Sequence, residues 1–403
     1  MRWTPPNRSG RATAGLIAAL ICAAAGGTVA SGAARYTTLT SLRWVAFSSP
    51  SRGVGLFETE RYPVNGSGPV SCVLYTRATS DGGARFEPAG RALARSNCQP
   101  GTSYREVGFA GPLELLAAGP QVASSRNMGA SWQQVQLPGT LVGLAVRGQR
   151  AWALVTRCRA YAARCAVHVI RSEDGGQSWR AAPVQPVVRV MPGLDVRLAQ
   201  AGADQPLALA PDGGVLLAWP AVTARSAVPY PKTVAVQSLA AGAKHWVSTS
   251  VACIPNPFQT ALAIASDGAR WLACASEPAA GLQLKAVALS RRAGEPWRVT
   301  ARSCVAGAEH CRGRLSVGGY IGDLYALSSS TAFYAGDRSS LAGTFDGGRS
   351  WRVWPQVGSD AAGSLQVTFI NAQDGWALAQ GVGPGVASSL WRTRDGGRSW
   401  SRV

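Results

Sequence analysis

The side chains able to do chemistry in this 403-residue chain are unevenly supplied. Asp and Glu together number 21, against 40 Lys and Arg, for a net charge of +19. Only Lys232, Lys244 and Lys285 are lysines, so 40 − 3 = 37 basic residues are Arg. His168, His245 and His310 are far apart in sequence and no Cys-x-x-Cys occurs, so no metal or cofactor is expected. Hydrolysis of a glycoside needs two carboxyls on one face, and the acids near loop positions are Glu58, Glu60, Glu114, Glu277 and Asp337. The combination that recurs is Arg beside Tyr, two residue types enriched at protein interfaces. It appears as Arg61-Tyr62, as Arg159, Tyr161 and Arg164, and as Arg225 with Tyr230, with Arg338 further on. Arg is spread along the chain without a basic run, which argues against nucleic acid. The charge favours acidic partners: an anionic glycan, a lipid headgroup or an acidic protein face.

The cysteines indicate the compartment. Cys22 lies in the N-terminal segment; the other eight fall as neighbours, Cys72 with Cys98, Cys158 with Cys165, Cys253 with Cys274 and Cys304 with Cys311. In an oxidising compartment they form a disulfide set, with neighbour pairing the expected connectivity among the 105 that eight cysteines allow. Arg2, Arg8 and Arg11 precede 23 uncharged residues that end at Arg35, with Ala14–Ala25 as their apolar centre and small residues after it. This is the pattern of a secretory signal; it is also long enough for an uncleaved membrane anchor. Either way residues 1–35 stand outside the fold and residues 36–403 are exported, to the periplasm or beyond.

The elements that must position these groups follow from an internal repeat. TRDGGRSW (Thr393–Trp400) recurs as TFDGGRSW (Thr344–Trp351), SEDGGQSW (Ser172–Trp179) and SRNMGASW (Ser125–Trp132), with TSDGGARF (Thr79–Phe86) ending in Phe and SRRAGEPW (Ser290–Trp297) lacking the Asp. A further decayed copy is expected at Ser238–Trp246. The chemistry is that of a tight turn. Asp81, Asn127, Asp174, Asp346 and Asp395 accept backbone N–H groups of their own turns. The Gly permits positive φ, and Trp132, Trp179, Trp297, Trp351 and Trp400 pack on a neighbouring strand. These acids are therefore structural; one carboxylate per copy also fails as a calcium loop.

Upstream of each octapeptide lie short apolar runs, such as GVGLFE (53–58), AWALVT (151–156) and GWALAQG (375–381). Each unit reads as four short antiparallel strands, and seven such units predict an all-β, seven-bladed β-propeller over residues 36–403. Apolar residues at 46% and charged residues at 15% suffice to bury its core. Because Val403 follows the last turn so closely, residues 36–41 are expected to supply the last blade's outer strand and latch the ring.

The octapeptide copies TRDGGRSW, TFDGGRSW and SEDGGQSW resemble the Asp-box, or bacterial neuraminidase, repeat. Families with this repeat include sialidases and other glycosidases, sortilin-type receptors and the photosystem II assembly factor group. The phrasing GWAL followed by Thr-x-Asp-Gly-Gly-x-x-Trp is most similar to the last, non-catalytic group. The resemblance implies a fold and not an activity. The sialidase pattern opens with Arg-Ile-Pro; here Arg43 is followed by Trp44 and Val45, so no catalytic residue is assigned. What is expected is an exported, non-enzymatic, monomeric propeller that scaffolds a protein partner or an acidic envelope component. Its working surface is the face of long loops that carries the cysteines and the Arg/Tyr residues. A sialidase-like hydrolase or glycan-binding lectin is the alternative.

Overall fold

The computed structural model describes Tyr36–Val403 except residues 65–68, 89, 99–103, 120, 158–165, 188–204, 222–231, 280, 304–313, 316–317, 337, 339, 359–362 and 382–385. Residues 1–35, the expected signal or anchor, lie outside the described part.

Seven antiparallel sheets follow one another along the chain, as the repeat predicts. Blade 1 is β1 (Tyr36–Phe47), β2 (Gly53–Pro63), β3 (Ser71–Thr79) and β4 (Ala92–Ser96). Blade 2 is β5 (Glu106–Phe109), β6 (Leu115–Ala118), β7 (Val122–Ser125) and β8 (Gln133–Val135). Blade 3 is β9 (Thr140–Arg147), β10 (Arg150–Arg157), β11 (Ala166–Ser172) and β12 (Arg180–Ala181). Blade 4 is β13 (Leu207–Leu209), β14 (Val215–Ala221), β15 (Thr233–Leu239) and β16 (Val247–Val251). Blade 5 is β17 (Pro257–Ile264), β18 (Arg270–Ser276), β19 (Lys285–Ser290) and β20 (Arg298–Ser303), with β21 (Arg314–Leu315) added in parallel on its edge. Blade 6 is β22 (Asp323–Ala326), β23 (Ala332–Ala335), β24 (Leu341–Thr344) and β25 (Arg352–Trp354). Blade 7 is β26 (Leu365–Phe369), β27 (Gly375–Ala379), β28 (Ser389–Thr393) and β29 (Ser401–Arg402). The first strand of each blade touches the first strand of the next, and β26 returns to β1.

The blades hold together through seven apolar clusters, one between each successive pair. Each cluster receives the aromatic residue of one turn. Trp132 enters the cluster of blades 1 and 2, Trp179 that of 2 and 3, and Trp246 that of 3 and 4. Trp297, Trp351 and Trp400 do the same for the next three, and Phe86 serves blades 7 and 1. The turn chemistry is as the residues demand. The N–H groups of Gly176 and Gly397 donate to Ser172 and Thr393 Oγ at 2.8 Å. Asp395 Oδ1 accepts the Ser399 N–H at 2.9 Å, and Asn127 Oδ1 accepts that of Ser131 at the same distance. Gly397 has φ +85°, and a Cβ there would sit 2.2 Å from the Phe333 ring of the preceding blade, so glycine is required by torsion and by packing alike.

Two expectations are corrected. Residues 36–41 do not latch the last blade: they form the outer half of β1 and pair with β2, from Tyr36 opposite Pro63 onward. Blade 7 supplies its own fourth strand, with Trp391 opposite Arg402 and Arg392 opposite Ser401. Closure is made instead by side chains. The Gln366 amide accepts from Val45 N–H at 3.0 Å and donates to Val45 C=O at 2.8 Å. Trp376 stacks on Phe47 with centroids 3.7 Å apart and donates its indole N–H to Gly82 C=O at 2.9 Å. The decayed turn starts one residue later than expected. Val215 pairs with Leu239 where Ala151 pairs with Ser172 and Gly375 with Thr393. Leu239 therefore fills the buried hydroxyl position, and Trp246 falls at the regular distance from it.

Candidate functional site

The antiparallel order puts the octapeptide turns on one face and the connections between second and third strands, and between blades, on the other. On that second face blade 1 stands out: β1 and β2 run 12 and 11 residues, against 4 and 4 for β5 and β6. The first strands of all blades line a central channel of about 980 Å³. Its octapeptide end is walled by Leu209, Ile264, Leu327 and Ile370 together with Arg147, Ser266 and Asn371. Its loop-face mouth is polar, because Glu106 and Asp323 are the first residues of β5 and β22 and Gln205 precedes β13.

Arg43 reaches this mouth through a β-bulge. Leu42 pairs with Phe57 and Trp44 with Leu56, so Arg43 is the extra residue between them. Its guanidinium meets the buried Glu58 carboxylate at 2.9 Å. Its carbonyl accepts from the Gln380 amide at 2.6 Å, which ties the bulge to blade 7. Two residues along β2, Glu60 accepts the Tyr62 hydroxyl at 2.5 Å; this bond holds the phenol up at about 12. Asp323 is buried, with Oδ1 accepting from the Gln205 amide at 2.6 Å and Oδ2 from Val367 N–H at 2.9 Å. Desolvation still outweighs those bonds and raises its carboxyl to about 6. Glu106, half-buried in the channel wall, is raised to about 7, first by desolvation and then by the charge of Asp323, against the pull of Arg105. The mouth thus holds four carboxyls beside Arg43 and Arg105. The Cys72–Cys98 disulfide forms part of its wall. Glu58, Glu60 and Cys72 lie close enough together to suggest metal ligands, but the Cys72 sulfur is committed to the disulfide.

The residues singled out in sequence fall in several places. Tyr62 joins the mouth through Glu60, whereas Arg61, one residue earlier on the strand, turns to the opposite side and covers the Tyr36 ring at 3.8 Å. Arg338 is exposed on the loop face of blade 6, at φ 55°, above Tyr320. Arg159, Tyr161, Arg164, Arg225, Tyr230 and Asp337 lie outside the described residues. Of the four expected disulfides, Cys253 with Cys274 and Cys72 with Cys98 are formed. The remaining cysteines, Cys158, Cys165, Cys304 and Cys311, all lie outside the described residues, so the pairing of Cys158 to Cys165 and of Cys304 to Cys311 stays an expectation. Glu58 and Glu60 belong to the mouth, while Glu114 sits on the octapeptide face bonded to Gln149. Sequence reasoning missed Glu106, Asp323, Gln205 and Arg105. Their one common signal is position at the entry of a first strand.

A seven-bladed β-propeller with a polar-mouthed channel is thus the class that fold and site define. No family model matches the chain, and comparison with curated proteins gives no match either. Among solved structures, one described as YCF48 bound to D1 peptide superposes with TM-score 0.52 at 17% identity, covering 89% of this chain and 96% of that one. YCF48 from Cyanidioschyzon merolae gives TM-score 0.49 at 18% identity, covering 90% and 99%. The GH74 enzyme of Niastella koreensis gives 0.46 at 13%, covering 90% and 59%. At these identities the likeness is one of fold.

Proposed function

We propose that the chain is an exported, non-enzymatic Asp-box propeller that binds a segment of a protein partner on its loop face, with the channel mouth at the centre, and so scaffolds an assembly. The observation that carries this is the state of the mouth carboxyls. Glu58 is held by Arg43, Glu60 by Tyr62, and both oxygens of Asp323 by Gln205 and Val367. Such groups present fixed acceptors and donors, the arrangement of a recognition surface whose ordering cost is met before binding. The similarly folded YCF48 structure was solved with a peptide bound, which supports a protein segment as ligand.

Glycoside hydrolysis is the second reading, favoured by one observation: Glu106, raised to about 7, has the property of a general acid. It needs a second carboxyl free to act as nucleophile or base, and Asp323 is committed to its two donors. The test is to place a photo-crosslinking residue at Tyr62 and at Arg338 in the full-length chain within its native envelope. A protein adduct at both is expected. Absence of any adduct, or turnover of an acidic polysaccharide that is lost in Glu106→Gln, would refute the proposal.

A further inference from the structure

We infer that the outer edge of blade 4, β16, is a docking strand that takes up an extended segment of a protein partner by backbone hydrogen bonding. This rests on the reading that the chain binds protein, and adds to the loop face a second contact, at the rim of blade 4, where an extended segment of the partner is held.

Every blade of a propeller ends in an edge whose outward N–H and C=O groups are templates for another strand, and proteins protect such edges with charge or brevity. Here β4 carries Arg95, β12 Arg180, β20 Arg298 and Arg302, β25 Arg352 and β29 Arg402, while β8 is only three residues long. β16 has neither protection. It reads VSTSV, five residues without charge, Pro or Gly, and three of the five are β-branched. Val247 to Ser250 are exposed, Val247 at 56%. The strand pairs with β15 through five successive residues, from Val234 opposite Val251 to Ser238 opposite Val247, with no bulge to twist the edge away. No described strand lies beyond it.

The chemistry of the edge names the occupant. Donors and acceptors alternating at the ~3.3 Å rise of a strand are matched by another polypeptide backbone, not by a sugar or a headgroup. The adjacent blade shows the mode within this chain: β21 lies along the edge of β20, with Arg302 opposite Arg314 and Ser303 opposite Leu315. Lys244 is exposed just before β16, and the chain carries +19 overall, so an uncharged or acidic segment fits better than a basic one.

The test places a photo-crosslinking residue at Ser248 and, separately, at Ser250 of the full-length chain in its native envelope, with Tyr62 labelled in a parallel sample. The expected result is an adduct with one other protein, its two crosslinks mapping to partner positions two residues apart, as strand pairing requires. With the label at Ser250, Ser248→Lys should cut the adduct at least tenfold. Ser248→Pro and Thr249→Pro form a second pair: alternate N–H groups face outward, so one of the two keeps the wild-type unfolding midpoint and still loses the adduct. An adduct with a second copy of this chain, crosslinks without the two-residue register, or an adduct that survives both Ser248→Lys and the midpoint-neutral proline overturns the inference. Adducts at Tyr62 with none at β16 overturn it and leave the loop-face function standing; silence at all three positions removes both.

Discussion

Ring closure offers the most direct test of the fold's energetics, because blades 7 and 1 are joined only by non-covalent contacts. Trp376 is fully buried, stacked on Phe47, and donates to a carbonyl 294 residues away. A buried Trp removes roughly 200 Å² from water, worth about 5 kcal/mol at 25 cal/mol per Å². Alanine retains about 1 kcal/mol of that. The stack and the hydrogen bond contribute about 1 kcal/mol each beyond it. Trp376→Ala is therefore expected to cost about 4–6 kcal/mol, near the top of the range for such truncations. Trp376→Phe keeps the ring contact, loses the bond to Gly82, and should cost about 1–2 kcal/mol. Trp271 is the comparison within a covalently continuous interface: fully buried, bonded to Ser328 C=O at 3.0 Å and edge-on to Trp351. Trp271→Ala should match Trp376→Ala to within about 1 kcal/mol if closure uses the same packing as every other seam. The assay is urea unfolding of the full chain, comparing midpoints at constant slope. A Trp376→Ala cost below about 1 kcal/mol, or equal costs for Ala and Phe, would show that the seam is not held as described.

The ionisable groups predict opposite pH windows. Partial burial pushes Asp174 up, but hydrogen bonds from the Ser178 hydroxyl and N–H, the Ser172 hydroxyl and the Gln177 N–H outweigh it and hold the carboxyl down at about 2. A depressed carboxyl stabilises above its ordinary value of about 3.9, and that stabilisation is lost as pH falls toward 2. Asp174→Asn, the residue blade 2 already uses as Asn127, should fold at neutral pH and lose that part of the acid sensitivity, read as unfolding midpoint against pH. Glu106 works in the other direction: raised to about 7, it favours the fold while protonated and disfavours it as pH rises through 7. Glu106→Gln should flatten the decline in midpoint between pH 5 and 8; an unchanged decline would assign it to another group. The Cys253–Cys274 bond closes a separation of 21 residues, so replacing both by Ala should cost about 3 kcal/mol by loop entropy, measured by unfolding under non-reducing conditions.

The fold was legible in the sequence because the octapeptide is local chemistry. A Ser or Thr, an Asp two residues on and a Gly two beyond that satisfy one another within one turn, so the residues must recur wherever the turn does. Blade 4 shows the limit. Its turn has Leu239 in place of the hydroxyl residue and no carboxylate; Ala243 N–H donates to Ala240 C=O at 3.0 Å, and Leu239 and Trp246 pack into the cluster of blades 3 and 4, an apolar pair that leaves no signature among so many apolar residues. The Arg61-Tyr62 pair was legible as an exposed motif, yet strand alternation sends its members to opposite faces. The mouth was less legible still. Arg43 points inward because an extra residue bulges β1, and nothing in SLRWVAF announces it. Glu106 and Asp323 belong to strands some 200 residues apart that only a closed ring brings into one channel.

The same residues make the mouth rigid, and that rigidity determines how a ligand is received. Asp323 of blade 6 bonds Gln205 at the entry to blade 4 and Val367 of blade 7, and the preceding residue of that strand, Gln366, bonds Val45 of blade 1. Gln380 and Ser388 of blade 7 bond the carbonyls of Arg43 and Leu42 at the bulge that aims the Arg43 side chain. Four blades are thus cross-linked by side chains at the end of the channel that holds Glu58, Glu60, Glu106 and Asp323. Asp323 remains buried and raised to about 6 in doing so. A carboxyl retained under that penalty, with its side-chain bonds directed to other blades, fixes the mouth's shape. A partner therefore meets a preformed site, and binding at the loop face should leave the backbone positions of the channel wall unchanged.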